Sequence, residues 1–402
     1  LLLIAFSILG TAENRIPADL ILKNGFIHTV DPFQPKASAL AVREGRLVFV
    51  GDDRDVDKYI GPKTRIVDLK GRLVLPGFID SHAHPVSAYK HFYEILLNNE
   101  ESLDGYLRAI TDFVHANPNP SFIRGRGWKN TFFGKTGPDR RRLDALVGDI
   151  PVALASEDGH SRWVNSRVLE MAEITAETPD PAGGIIERDP QTGEPTGTLR
   201  ECAVDLIVPI FPPYSVEELK KGLLAYQDMA LSFGITTVHD ASLDAGSNDT
   251  AAYRSLEREH RLRMRFRASL YADPAKGLAQ ITSLVEERRC NNSDHFRTSS
   301  VKLFMDGVVE GSSAFLKESY LHLPGFRSQL LWEPQSLARF CVEVDRLGFQ
   351  IHVHSIGDAA TSAMLDALAF VRQENGTRDS RHSITHLQLV DGCDIPRFFE
   401  LG

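Results

Sequence analysis

Apolar and polar residues change their period along this chain, and the changes divide it. In residues 18–30, ADLILKNGFIHTV, apolar side chains alternate with polar ones on either side of Asn24-Gly25, which predicts a half-buried hairpin. Ala39–Arg43 and Arg46–Val50, split by Glu44-Gly45, predict a second hairpin. Thr64–Leu69 predicts a further strand, closed by Lys70-Gly71. Residues 18–72 therefore read as a small β domain without chemistry of its own. Between about residues 117 and 213 the period is lost among glycines and prolines, with one good strand at Pro151–Ala155 that ends at Ser156–His160. That is too long for an ordinary connection and reads as an insertion with some structure of its own.

From Tyr214 onward the pattern is regular. Ser215 and Glu218 form a capping box, and Val216, Leu219, Leu223, Tyr226, Ala230 and Phe233 follow at helical spacing until Gly234. Ile235–Asp240 is then a β-branched strand, and Met264–Tyr271 and Ser300–Phe304 are two more. Ser336 opens a helix with Leu337, Phe340, Cys341, Val344 and Leu347 on one side, stopped by Gly348 before the strand Phe349–His354. Asp358 caps a helix that runs to Asn375-Gly376, and the strand Ser383–His386 follows. Strands alternating with helices imply parallel βαβ units. The expectation is an α/β chain built as a (β/α)8 TIM-like barrel spanning residues 73–402, with the small β-sandwich domain ahead of it.

Leu73–His84, LVLPGFIDSHAH, brings chemistry into this frame. In an extended chain residues i and i+2 share a face, so His82 and His84 leave the strand end side by side, as two ligands of one metal ion would. A lone His-x-His is a weak signal, more often two ordinary polar residues at a strand end. What strengthens it is that Lys302, His354 and His386 also fall at predicted strand ends, where barrel chemistry gathers. His352 shares the face of His354 one layer deeper and reads first as a buried, hydrogen-bonded residue. His239 also ends a strand, but its neighbour Asp240 makes a structural hydrogen bond as good a reading as a ligand role.

Composition narrows the classes. Of 402 residues, 42% are apolar and 25% charged, an ordinary globular balance, and the net charge of -9 without a basic run excludes nucleic acid as an expected partner. Cys202, Cys290, Cys341 and Cys393 are far apart, so any metal is held by His and carboxylate. The opening LLLIAFSILG is too short to span a bilayer but matches a signal-peptide core with Gly10-Thr11-Ala12 as a cleavage site, so residues 1–12 read as a signal-peptide remnant and the localisation as secretory or extracellular.

Taken together the motifs resemble the amidohydrolase superfamily, and within it the YtcJ-like branch that includes N-substituted formamide deformylases. ADLILKNGFIHTVD and GRLVLPGFIDSHAHP resemble its β domain and first barrel strand. DGHSRWVNS and TPDPAGGIIERDPQTGEPTGTLRE resemble the insertion of this branch, and FGITTVHDAS, VKLFMDG, HSIGDAA and ITHLQLV resemble successive strand ends. The resemblance implies one or two divalent cations, zinc by preference. His82 and His84 would hold the more buried ion, His354 and His386 the second, and Lys302, carboxylated, would bridge them. It implies hydrolysis of a non-peptide C–N bond in a small N-acyl or N-formyl amine. The insertion makes His160 and Trp128 candidate substrate contacts.

The family's general base is an Asp at the end of an eighth strand, and the sequence as given stops at Gly402, after about six. No earlier Asp matches that context; Asp80 and Asp306 fit supporting roles. The expectation is therefore a fragment, weakly folded and weakly active, whose catalytic Asp lies beyond Gly402. Two other readings compete: a catalytically dead relative used as a binding scaffold, and a deaminase or cyclic-imide hydrolase of the same fold.

Overall fold

The structure is a computed structural model and describes residues 16–86, 93–117, 120–134, 136–157, 159–181, 184–309 and 312–402. The signal-peptide reading of residues 1–12 lies outside the described residues. The chain divides into two compact units, Leu1–Phe78 and Ile79–Gly402.

In the first unit, β1 (Leu20–Lys23), β4 (Ala39–Arg43), β5 (Arg46–Gly51) and β6 (Arg65–Asp68) form a four-stranded sheet in the order β5-β4-β1-β6. β2 (Phe26–His28), β3 (Lys36–Ala37) and β7 (Leu73–Val74) form a second sheet, β3-β2-β7. The second hairpin is as expected, with β4 antiparallel to β5. The first is not. Asn24 has the positive φ of a turn residue, but β1 pairs with β4 and β6 while β2 pairs with β3 and β7. The turn passes the chain between two sheets instead of folding it back. Ile21, Ala39, Ala41 and Val56 are the buried core of this unit.

In the second unit, β8 (Phe78–Ala83), β15 (Ile235–Leu243), β16 (Arg265–Tyr271), β17 (Phe296–Phe304), β18 (Gln350–Ser355) and β19 (Ser383–His386) lie side by side in chain order in a six-stranded sheet. From β15 to β19 every pairing is parallel. A helix connects each strand to the next: Asn248–Arg258, Ile281–Cys290, Pro334–Arg346 and Asp358–Asn375, with Val216–Ser232 leading into β15. This is the α/β, TIM-like pattern. The capping box of Ser215 and Glu218 is formed, and Gly234 and Gly348 take positive φ where the helices stop. Two caps differ from expectation. Glu333 accepts from the N–H groups of Gln335 and Ser336, and the helix after β18 is capped at Gly357. Among the described residues, no helix is long and apolar enough to cross a membrane.

The remaining strands form a separate mixed sheet. β9 (Glu94–Leu96), β10 (Ile123–Trp128), β11 (Val152–Ser156), β12 (Ser161–Val164), β13 (Gly184–Arg188) and β14 (Pro195–Glu201) lie in the order β13-β14-β12-β11-β10-β9. This region reaches further back than the aperiodic stretch, because the helix Leu103–Ala116 shares a core with β9 and β10 through Ile95, Tyr106, Ile110 and Ile123. Its glycines mark close packing. A Cβ on Gly125 would sit 2.8 Å from the Ile95 carbonyl oxygen, and Gly127 has φ +99° at a bulge.

Candidate active site

The parallel register places the polar ends of β15–β19 together. Lys302 on β17 is in register with His352 on β18, and Ser355 on β18 with His386 on β19. His82 is the hub. Its ring centre lies 5.3 Å from that of His84, 5.0 Å from His352 and 5.2 Å from His386. His354 lies 4.6 Å from His386, and His239 lies 4.6 Å from His352. The four histidines expected as ligands thus form one continuous group, joined from below by His352 and His239.

Lys302 is 1% exposed and, among the described residues, no carboxylate pairs with it. Its Nζ lies 5.2 Å from the centre of the Phe304 ring, and burial alone pushes its pKa down to about 8. The histidines are pushed down too, and are held neutral. Burial first, then the charge of Lys302, pushes His82 down to about 4 and His352 to about 2, and the same two causes bring His239 to about 4. Burial also lowers His84, His354 and His386. Neutral imidazoles are what a cation requires of its ligands.

Each strand end is fixed locally. The Asp80 carboxylate accepts the His82 backbone N–H at 3.2 Å. His354 Nε2–H donates to the Gly307 carbonyl at 3.2 Å, which leaves Nδ1 as its lone pair. At the end of β19, His386 and Leu387 both have left-handed backbone, φ +77° and +48°, a strain of about 1 kcal/mol or more per residue that gathers at functional sites.

The two expected substrate contacts diverge. His160 is exposed, with Nδ1 3.0 Å from Glu201 Oε2. Trp128 is fully buried, donates its indole N–H to the Leu154 carbonyl at 2.8 Å, and packs edge-on against Phe133. Reading Trp128 as a substrate contact is corrected: it is a core residue of the mixed sheet. Asp240, offered as the partner of His239, accepts instead from Tyr253 O–H at 2.8 Å. His239 turns the other way, to Ser269 Oγ at 2.8 Å. Ser269 and Ser300 went unnoticed in the sequence, where the only signal was two small polar residues inside apolar strands.

Two imidazoles sharing a tetrahedral ion at about 2.0–2.1 Å hold their ring centres roughly 5 Å apart. The spacings among His82, His84, His354 and His386 match that. Among the described residues, no three His, Cys, Asp or Glu side chains close into a ligand set as they stand. The pairwise spacing and neutral donors nonetheless fit a divalent cation.

The model of the amidohydrolase family matches residues 65–402. The chain belongs to the amidohydrolase family. The YtcJ-like branch expected from the motifs is the one matched, and hydrolase function comes with membership. Protein LONG AFTER FAR-RED 3 of Arabidopsis thaliana is 32% identical over 97% of this chain and 68% of its own length. N-substituted formamide deformylase of Arthrobacter pascens is 26% identical over 96% of this chain and 71% of its own. The crystal structure of an uncharacterized metal-dependent hydrolase from Pyrococcus horikoshii OT3 is similar over 95% of this chain and 73% of its own, with a TM-score of 0.76 at 25% identity.

Proposed function

We propose that this amidohydrolase cleaves a non-peptide C–N bond, the amide or formamide of a small N-acyl or N-formyl amine. The residues that would hold its divalent cation or cations, zinc by preference, are His82, His84, Lys302, His354 and His386. The observation that carries the reading is the convergence of these five side chains from four strand ends in a fold whose chemistry gathers there. The similarity to a formamide deformylase supports the bond type.

A bound divalent cation supplies Lewis acidity toward a carbonyl oxygen and toward water at neutral pH. The chain's own residues prepare for it. Burial keeps the imidazoles uncharged, so their lone pairs remain available. Lys302 is a buried amine pushed down to about 8, so a fraction of it is unprotonated near neutrality and able to attack carbon dioxide. The resulting carbamate would replace an uncompensated buried cation with an anion, which favours two cations over none. His160, exposed at the turn between β11 and β12 with Nδ1 against Glu201, remains the candidate substrate contact.

The test is amine release from a panel of N-alkyl formamides and N-acyl amines by the zinc-loaded chain. Turnover is expected on at least one class, with a loss of roughly 100-fold or more in His84→Ala, the scale of a removed transition-state electrostatic contact. A zinc-loaded, folded chain that turned over only a heterocyclic amine or a cyclic imide, and no member of the panel, would contradict the bond assignment.

A further inference from the structure

Below the candidate ligands lies a layer of polar side chains that the proposed chemistry does not use. Ser269 and Ser300 are fully buried and His352 is 1% exposed, so their protons must be placed within the group itself. The placement has an anchor. Ser300 Oγ lies 3.2 Å from the Ala268 carbonyl oxygen, which can only accept, so Ser300 donates there. Ser269 Oγ is 2.8 Å from Ser300 Oγ, and with the Ser300 proton committed, Ser269 donates to Ser300.

Ser269 can then only accept from its other neighbours, His352 Nδ1 at 3.1 Å and His239 Nε2 at 2.8 Å. His352 therefore carries its proton on Nδ1 and turns a bare Nε2 toward His82 Nδ1, 3.1 Å away. Nδ1 of His82 must be the protonated nitrogen, and its Nε2 is left as the lone pair.

We infer that the chain from the Ala268 carbonyl through Ser300, Ser269 and His352 fixes the tautomer and ring orientation of His82, with Nε2 free for a cation. His352 is then a positioning residue and not a ligand. The nitrogen that a ligating imidazole offers is set by the hydrogen bond its other nitrogen makes. Here the chain of bonds ends on a backbone carbonyl, which can only accept. Two contacts would run the chain backwards, donation from Ser300 to His239 Nε2 and donation from His239 Nε2 to His352 Nδ1, both at 3.3 Å and both longer than every bond in the chain. The inference rests on the proposed metal role of His82.

The experiment uses the full chain with 15N-labelled histidine rings, metal-free. Long-range proton–nitrogen correlation spectra are assigned by the signals that vanish in His82→Ala and His352→Phe. His82 and His352 are both expected as Nδ1–H tautomers. Zinc alone is then titrated in competition with a chromophoric chelator. His352→Phe and Ser269→Ala should each weaken zinc binding roughly 10- to 100-fold and leave His82 as a mixture of tautomers. If His352→Phe does not fold, Ser269→Ala, a small change at a buried site, decides alone. An Nε2–H tautomer at His82, or variants that leave its tautomer and zinc affinity unchanged, would overturn the inference. His82→Ala separates the two levels. If it weakens zinc binding while the positioning variants do not, only this inference fails. If it leaves zinc binding intact, the metal role of His82 fails first.

Discussion

Asp306 is 1% exposed, and its two oxygens accept three backbone N–H groups, those of Phe315, Ile356 and Gly357, at 2.8–3.0 Å. Ile356 and Gly357 directly follow β18, so this one carboxylate ties down the turn just after His354. Asp306→Asn keeps a single acceptor oxygen and sets an amide NH2 against at least one of those donors. Each buried donor left unpaired costs about 1–3 kcal/mol. Urea titration should therefore show a loss of at least about 1 kcal/mol, together with weaker zinc retention. A variant with wild-type stability would show that the three bonds are incidental. The sequence placed Asp306 correctly as a support, since it follows Lys302 in VKLFMD. It could not show that the partners are backbone groups, two of them some fifty residues away.

Among the elements, those with a strong period were legible and those that depend on distant partners were not. β15, β18 and β19 were readable because β-branched or apolar runs follow Gly-stopped helices, and His354 and His386 sit at or beside the ends; His239 lies mid-strand because β15 runs on to Leu243. Lys302 was legible for the same reason. The mixed sheet was hidden. Its glycines permit close strand approach at Gly125 and a bulge at Gly127, and in one dimension these look like breaks. Trp128 was misjudged through that gap: it is the apolar core of a sheet whose partners, β9 and β11, come from segments before and after it. The first hairpin failed differently. A turn signal at Asn24-Gly25 fixes the local backbone, while the pairing is decided by which strands elsewhere bury Ile21.

For the whole molecule, the histidine group couples folding to pH. His82 and His239 are held down to about 4 and His352 to about 2, against an ordinary value of 6.5. Between pH 6.5 and about 4 the unfolded chain binds protons that the folded chain does not, so stability falls as pH drops through that window. For the metal-free chain the urea midpoint should be lower at pH 5 than at pH 7. A midpoint that stays level or rises would mean that these imidazoles are already charged in the folded state. Bound cation should protect against the same fall, because it binds the neutral imidazoles of the folded form.

His82, His84, Lys302, His354 and His386 are the proposed metal site. The most direct measurement is the divalent metal content of the folded, dialysed chain after loading with zinc, beside His82→Ala and His354→Ala. One or two zinc ions per chain are expected, with clear loss of metal in both variants while circular dichroism shows them still folded. A folded chain that retains no zinc, or retains it unchanged when His82 and His354 are removed, would contradict the claim.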